Sequence, residues 1–229
     1  MSTPRILFKL TTRSRPIEAR DAINNIIDNC HNDNYKIVVT LDVNDQSMLG
    51  FTFPHSKVIL HWGTSNNKIH AVNRSVGLLA EWDILVATSD DMRFMVPGFD
   101  NIIREDFLRP EGHYENIVLD LNKFLHYNDS FQKSNVCTLS IMGRDYYNRD
   151  GYIYHHSYES LWSDVEATEV AKERGCYKYM GDDKIIFKHF HPAWGLGRMD
   201  AQYNAQNSVP QSEKDKQNYL NRKENGYPA

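Results

Sequence analysis

The segment Asp83–Asp91 reads DILVATSDD, so that an apolar run ends directly in two carboxylates. A continuous run such as Ile84–Ala87 is typical of a strand that is buried on both faces of a parallel sheet. Ligands of open α/β sheets bind outside the carboxyl ends of such strands. We therefore expect Asp90 and Asp91 to lie where a divalent cation and a phosphorylated ligand are held.

Length and composition are those of a folded globular protein. The 229 residues are enough for one large α/β domain with a buried core, and 41% of them are hydrophobic while 24% are charged. The net charge of −4 and the lack of a basic stripe in the sequence argue against nucleic acid as a partner.

The three cysteines and the apolar runs bear on the cellular compartment. Cys30, Cys137 and Cys176 are widely spaced, which predicts neither a disulfide framework nor a thiolate zinc site and favours the reducing cytoplasm. The N-terminal apolar stretch is too short for a secretory signal, and no run approaches the roughly 18 apolar residues that span a bilayer. Any contact with a membrane is therefore expected to be peripheral.

Polar groups also follow the first two predicted strands, Ile6–Leu10 and Lys36–Leu41. The first strand runs into a loop with hydroxyls and two guanidinium groups, which suit a diphosphate or a ribose, and an acidic residue follows the second. The groups concerned are Thr11, Arg13, Arg15 and Asp42. Each loop alone is equally well explained as a solvated cap or turn. Three such strand ends on one rim of a sheet indicate a binding site.

A second helix is predicted from Lys68 to Ala80, because apolar residues recur there at helical spacing. Lys68, Asn73 and Arg74 lie at its start or edge, where they either reach a ligand above the sheet or face solvent. The sequence contains neither G-x-x-x-x-G-K-[ST] nor G-x-G-x-x-G. Any phosphates must therefore be neutralised by a cation and by side chains.

The second half of the chain contains shorter apolar runs. Strands are predicted at Asn116–Leu121 and Cys137–Met142, joined by the polar segment Asn122–Asn135. Late strands are predicted at Tyr177–Met180 and Lys184–Phe187. From residue 199 onward the chain is polar, which indicates a loosely packed tail or a helix lying across the domain.

The order of these features resembles the donor half of GT-A-fold glycosyltransferases, and in particular the large group of inverting, family-two-type enzymes. The resemblance is carried by the Thr/Arg loop, by the strand that ends in Asp42, by the A-x-N-R sequence Ala71–Arg74 and by Ser89–Asp91. It implies a Rossmann-like α/β/α sandwich with a mixed, mostly parallel sheet. One domain would cover residues 1–198, with a donor half at 1–100 and an acceptor half at 101–198, followed by a polar tail or helix at 199–229.

The resemblance also implies a function, namely metal-dependent transfer of a hexosyl group from a nucleotide-sugar, expected to be UDP-linked, to an acceptor hydroxyl with inversion. Asp91 would bind Mn²⁺ or Mg²⁺, and His191 would complete the metal shell. Ser89 stands at the first position of the family's D-x-D pattern, which leaves the number of carboxylate ligands open. The implied donor-binding residues are Thr11, Arg13, Arg15, Asp42, Lys68, Asn73, Arg74 and Asp90.

In the enzymes that this chain resembles, the base that deprotonates the acceptor is a carboxylate just before a helix. Asp164 matches that position, and Glu166 is the substitute. The same residues have a structural explanation, because Ser163 can cap this helix and acidic residues in the first turn favour its dipole. Both interpretations of Asp164 stay open at the level of sequence.

Two other functions are compatible with the sequence. A sugar nucleotidyltransferase has a similar sheet, although that class usually opens with a glycine-rich loop and TTRSRP contains no glycine. A non-catalytic nucleotide-sugar or glycan-binding module is left open by Ser89 and by the undecided base. A processive membrane-bound synthase is disfavoured, because the Q-x-x-R-W motif of those enzymes is missing.

Overall fold

Apolar runs of the sequence form the strands of the central sheet. The computed structural model describes residues 3–111, 116–197 and 199–228. The strands are β1 (Ile6–Thr11), β2 (Tyr35–Asp42), β3 (Val58–Gly63), β4 (Ile84–Ser89), β5 (Met92–Phe94), β6 (Leu108–Glu111), β7 (Asn116–Leu119), β8 (Phe124–His126), β9 (Ser140–Gly143), β10 (Tyr177–Tyr179) and β11 (Phe187–His189). The helices are α1 (Pro16–Asn29), α2 (Lys68–Asn73), α3 (Phe99–Asp106), α4 (Arg144–Asn148), α5 (Ser163–Glu173), α6 (Ala201–Gln206) and α7 (Val209–Glu224).

The main sheet has the strand order β10-β8-β9-β4-β1-β2-β3. Strands β1 to β4 are parallel, and β1 lies between β2 and β4 so that Thr11 pairs with Thr40 on one side and with Ser89 on the other. Their carboxyl ends therefore meet on one rim. Strand β9 runs antiparallel to β4 and to β8. The sheet is mixed and mostly parallel, as the sequence predicts.

Helices cover both faces of this sheet. Side chains alternate between faces along a strand. Phe8 accordingly packs with residues of α1 and α3 in one hydrophobic core, while its neighbour Leu7 packs with residues of α2, α4 and α5 in a second core. The result is the α/β/α arrangement that the sequence predicts.

One prediction for the middle of the chain is wrong. The segment predicted as a polar connection contains β8, whose three residues are buried and too few to show a periodic pattern. The strand predicted at Asn116–Leu121 is present as β7, which ends at Leu119 and pairs with β6 in a separate hairpin. Strand β11 also begins three residues later than expected, where it pairs with β5.

Helix α2 is shorter than predicted. It ends at Asn73, and Ser75 adopts a left-handed backbone conformation with φ of 81° before a single 3-10 turn at Val76–Leu78. The Ser75 hydroxyl lies 2.5 Å from Nδ1 of His61 on β3. Apolar spacing alone would continue the helix to Ala80. This tertiary contact lies where the helix breaks instead.

The C-terminal segment forms two helices, and α7 packs against α5. Polar side chains anchor α7, since Asp215, Tyr219 and Arg222 are all buried. Within the described part of the chain, no helix has the length and apolar character needed to cross a bilayer. Cys30, Cys137 and Cys176 are free thiols, and location in the cytoplasm stays a prediction.

Candidate functional site

A cleft of about 510 Å³ opens at the carboxyl ends of β1, β2 and β4. The loops that follow these strands line it, together with the first residues of α2. Glu159, Ser160, Leu161, Ser163 and Asp164 also line it, as do residues that follow β11. The topology of parallel strands therefore brings the predicted polar strand ends into one cavity.

Asp90 fixes the loop that follows β1. Its side chain is buried, with Thr12 Oγ1 donating to Oδ2 at 2.6 Å and Arg15 Nη1 donating to Oδ1 at 3.1 Å. Burial and the neighbouring Asp91 raise the pKa of Asp90 to about 6. Asp90 lines the cleft, but its two oxygens are already engaged by protein donors.

Asp91 is more exposed to the cleft, with 23% of its side chain accessible. Ser89 Oγ donates a hydrogen bond to Oδ1, and Nε2 of His189 lies 3.3 Å from Oδ2. Burial opposes ionisation of Asp91, but the hydrogen bonds from His189 and Ser89 outweigh it and hold the pKa below its usual value. Ser89, at the position where the resembling enzymes carry an acidic residue, thus acts as a donor to Asp91.

The imidazole that contacts Asp91 is that of His189 and not that of His191. The β11–β5 pairing sets His189 opposite Met92, next to the acidic strand end. His191 lines the same cleft, with its ring centre 5.1 Å from that of His189. Burial and His189 lower the pKa of His191 to about 4, so this imidazole is neutral near pH 7.

Asp42 lies between two arginines at the end of β2. Arg13 Nη1 donates to Oδ2 at 2.7 Å, and Arg74 Nη2 donates to Oδ1 at 3.2 Å. Arg74 also donates to the carbonyl of Leu41 at 3.1 Å and is not part of the cleft lining. Arg13 lines the cleft, whereas Arg74 contacts Asp42 without lining the cleft.

Asn73 does not face the cleft. Its side-chain amide donates to the carbonyl of Tyr154 at 2.6 Å and accepts from the backbone N–H groups of Ile153 and Tyr154 at 2.9 and 3.1 Å. Through these contacts, Asn73 joins α2 to the segment that precedes α5. Lys68, by contrast, is exposed and lines the cleft. The predicted site residues that share this cavity are Thr11, Arg13, Arg15, Asp42, Lys68, Asp90, Asp91, Asp164 and His191.

Arg15 has a second carboxylate partner that sequence reasoning missed. Its Nε and Nη2 donate to the two oxygens of Asp200 at 2.7 and 2.9 Å. Hydrogen bonding to Asp200 raises the pKa of Arg15 above its ordinary value. The two residues are 185 positions apart, and no local pattern in the sequence relates them.

Asp164 lies in the first turn of α5 and lines the same cleft as Asp42. Burial raises the pKa of its carboxyl group, and Lys68 opposes that shift. The cap predicted at Ser163 is wrong, because Trp162 takes the N-cap position with φ of 64° and no side chain caps the helix. The substitute base Glu166 is also wrong, since it is buried in an ion pair with Arg222 at 2.8 Å.

The donor atoms of Asp91 and His191 fit a divalent cation that accepts oxygen and nitrogen ligands, and such a set suits Mn²⁺ better than Mg²⁺. In residues 3–111, 116–197 and 199–228 no three His, Cys, Asp or Glu side chains are grouped closely enough to hold a metal ion by themselves. Oxygen atoms of a bound diphosphate would have to complete the coordination shell.

No protein-family model and no curated protein sequence matches this chain. Solved structures match its fold. Mannosyltransferase PcManGT from Pyrobaculum calidifontis, in complex with GDP-Man and Mn²⁺, superposes with a TM-score of 0.58 at 15% identity over 78% of this chain and 55% of that chain. S. aureus TarS 1–349, in complex with UDP-GlcNAc, superposes with a TM-score of 0.61 at 9% identity over 90% of this chain and 62% of that chain.

The chain has a GT-A-like fold. The predicted fold class is thereby confirmed, because the chain has a mixed, mostly parallel sheet and superposes on both structures with TM-scores of 0.58 and 0.61. The chain spans 55% and 62% of the lengths of these two proteins, and the low identities establish the fold alone.

Proposed function

We propose that this protein is a metal-dependent glycosyltransferase that moves a hexosyl group from a nucleotide-sugar to an acceptor hydroxyl with inversion. The observation that carries the proposal is that Asp42, Asp91, Asp164 and His191 all line one cleft. Proteins of the same fold bind GDP-Man with Mn²⁺ or UDP-GlcNAc, which supports a nucleotide-sugar as the donor. A UDP-linked donor remains the expectation.

The nucleotide would bind along the ends of β1 and β2. Asp42, which two arginines hold in place, can accept hydrogen bonds from ribose hydroxyls or a base N–H. Thr11 and Arg13 lie beside it in the cleft. Arg15 and Lys68 supply positive charge for the diphosphate. Side chains would thus bind the phosphates, in place of a glycine-rich loop.

Asp91 and His191 would hold a divalent cation, which supplies positive charge against the charge that develops on the departing nucleoside diphosphate. His189 orients Asp91, because its Nε2 lies 3.3 Å from Oδ2. Ser89 engages the other carboxylate oxygen. These two contacts fix the Asp91 side chain before any ligand is bound.

Asp164 would act as the base. Its raised pKa makes it a better proton acceptor than an ordinary carboxylate once it is ionised. The proton of the acceptor hydroxyl passes to Asp164 as the acceptor oxygen bonds to the anomeric carbon. The bond between that carbon and the diphosphate oxygen breaks at the same time, and attack from the opposite face inverts the configuration.

A turnover assay tests this function directly. The wild-type chain with Mn²⁺ and a panel of UDP- and GDP-sugars is expected to release nucleoside diphosphate. Asp91→Asn and His191→Ala are each expected to weaken Mn²⁺ binding and turnover by about tenfold or more, because the first removes the negative charge of one ligand and the second removes the other ligand. His55→Ala is the matched control, since His55 is an exposed histidine outside the cleft.

The products separate this function from its rivals. Release of pyrophosphate would indicate nucleotidyl transfer, and nucleotide binding without turnover of any donor would indicate a binding module. Unchanged Mn²⁺ affinity in both variants would refute the metal assignment. A wild-type chain that binds neither UDP nor GDP would refute the function itself.

A further inference from the structure

Residues 159–164 border the cleft beside the first turn of α2, where the backbone N–H of Ile69 donates to the carbonyl of Glu159 at 3.3 Å, and we name them the wall segment. Glu159, Ser160, Leu161, Ser163 and Asp164 line the cavity. The proposed base, Asp164, stands at one end of this segment. Ser160 is four positions earlier, near the other end. Groups on this segment are therefore placed to meet the molecule that Asp164 deprotonates.

Ser160 carries a polar group that lacks a partner. The residue is 7% exposed, and its buried Oγ makes no hydrogen bond to any residue that the structure describes. Buried hydroxyl groups in proteins nearly always have a hydrogen-bond partner. A hydroxyl is both donor and acceptor, so the missing partner can be another hydroxyl. Rotation about the Cα–Cβ bond of Ser160 can turn Oγ toward the cleft that the residue lines.

The backbone around Ser160 is held by a carboxylate from α7. Asp215 is 1% exposed and accepts hydrogen bonds from the backbone N–H groups of Glu159, Ser160 and Leu161 at 3.0, 2.9 and 2.8 Å. Gln211 Nε2 also donates to Asp215, at 2.9 Å. With three successive N–H groups fixed, the wall segment cannot readily shift to give Ser160 a partner within the protein.

A second contact holds the same segment. The ring of Trp162 stacks on Tyr219 of α7, with ring centres 5.3 Å apart. Asp215 and Tyr219 are four residues apart, so they project from one face of the helix. One face of α7 therefore supports the segment on both sides of Leu161, and the unpartnered Ser160 belongs to a rigid part of the cleft.

We propose that Ser160 binds a hydroxyl group of the acceptor, and that Asp215 is the residue that positions Ser160 for this contact. The inference rests on the proposed glycosyl transfer. The acceptor is a polyhydroxylated molecule such as a glycoside, because Ser160 Oγ needs one hydroxyl partner and the proposed base Asp164 needs another. The donor nucleotide would bind at the ends of β1 and β2, where Arg13 and Asp42 lie.

The test compares Ser160→Ala with Ser157→Ala. Ser157 is the matched control, because its hydroxyl already contacts His155 and Asn218 at 2.8 Å each and it does not line the cleft. The acceptor probes are p-nitrophenyl glucoside, galactoside and N-acetylglucosaminide, used with the donor that the wild type consumes. Ser160→Ala is expected to raise the acceptor KM about tenfold and to leave the Kd of UDP or GDP within about twofold of wild type. Ser157→Ala is expected to change neither.

The positioning role of Asp215 is tested with Asp215→Asn, which keeps the shape of the side chain and removes its charge. The acceptor KM is expected to rise about as much as in Ser160→Ala, although Asp215 does not line the cleft. In a Ser160→Ala background the second substitution is expected to add less than about twofold, because both act through the same contact. A merely structural role of Asp215 would instead lower stability and affect donor and acceptor constants alike.

Three results would overturn this inference while leaving the proposed function intact. The first is an unchanged acceptor KM in Ser160→Ala. The second is a rise in the donor constants instead of the acceptor KM, which would place Ser160 on the donor sugar. The third is release of nucleoside diphosphate by the wild type with transfer to none of the three glycosides. A wild-type chain that neither binds nor consumes nucleotide-sugars would refute the proposed function, and this inference with it.

Discussion

At the scale of single residues, the surroundings of two carboxyl groups in the cleft shift their pKa values in opposite directions. Hydrogen bonds from His189 and Ser89 overcome burial and keep the pKa of Asp91 low, whereas burial raises the pKa of Asp164. Groups whose pKa values are pushed apart in one site commonly serve as charge holder and proton carrier. Asp91 suits a cation ligand, and Asp164 suits a base.

Asp164→Asn is expected to lower kcat by about 10²–10⁴-fold, because an amide cannot accept the acceptor proton. In the wild type, kcat is expected to fall on acidification at a higher pH than the usual carboxylate range, since Asp164 must be ionised and its pKa is raised. A pH–rate profile measures this effect. A profile that stays flat down to pH 4 would assign the base to another group.

The same substitution is expected to stabilise the fold at neutral pH. A raised pKa means that the folded state disfavours ionised Asp164, so the ion costs stability above the folded pKa and that cost disappears as the pH falls below the unfolded value of about 3.9. The Tm of Asp164→Asn is therefore expected to exceed that of wild type at pH 7, with the difference shrinking toward pH 4. Asp183→Asn, at an exposed position, is the control. A Tm below wild type at pH 7 would contradict the desolvation argument.

At the scale of elements, α7 reverses the usual amphipathic pattern. Asp215, Tyr219 and Arg222 are spaced at i, i+4 and i+7, and this mainly polar face is the one that is buried. Each polar group has a partner on the elements it covers, and Arg222 donates to both oxygens of Glu166 on α5. The predicted helix across the domain is present, but it is anchored by hydrogen bonds and not by aliphatic side chains.

Arg222→Ala is expected to lower the free energy of unfolding by about 3–5 kcal/mol, because it leaves Glu166 as an unpaired charge in a buried place. Thermal or urea unfolding measures the loss. The double substitution Glu166→Gln with Arg222→Met is expected to recover much of it, since no isolated charge then remains. Lys216→Ala, at an accessible position of the same helix, is the control. Equal losses in the single and double variants would show that packing, and not charge, dominates.

At the scale of the whole molecule, residues from the two ends of the chain meet at Arg15, which lines the cleft. Arg15 follows β1, while Asp200 precedes α6 and caps it by accepting from the backbone N–H of Tyr203 at 2.7 Å. Their bidentate contact joins the loop after β1 to the C-terminal segment. Asp200 thereby occupies guanidinium donors that a diphosphate would otherwise use.

Asp200→Asn is expected to tighten the binding of UDP and GDP by about 3–10-fold, because it removes a negative charge beside the proposed diphosphate site and frees donors of Arg15. Isothermal titration at two salt concentrations measures this, and the gain is expected to shrink at high salt. Glu213→Gln is the control, since it makes the same change in net charge on an exposed part of α7. Weaker binding in Asp200→Asn would mean that Asp200 orients Arg15 for the ligand instead of competing with it.

The sequence by itself determined the first half of the fold and the location of the cleft. Buried parallel strands such as β4 show as continuous apolar runs, and the order of strands places the groups that follow them, including Asp42 and Asp91, on one rim. These signals are local and periodic, so a single chain reveals them. Strand β8 shows the limit of such signals, because three residues do not establish a period.

Only the tertiary structure decided which polar groups meet. Alternation along the chain gives His189 and His191 the same direction, but the pairing of β11 with β5 brings His189 to Asp91. The contacts of Asp200 with Arg15 and of Asp215 with the wall segment join polar residues 185 and about 55 positions apart. Hydrogen bonds between polar side chains and distant backbone leave no hydrophobic periodicity in the sequence, and for that physical reason they appear only once the chain has folded.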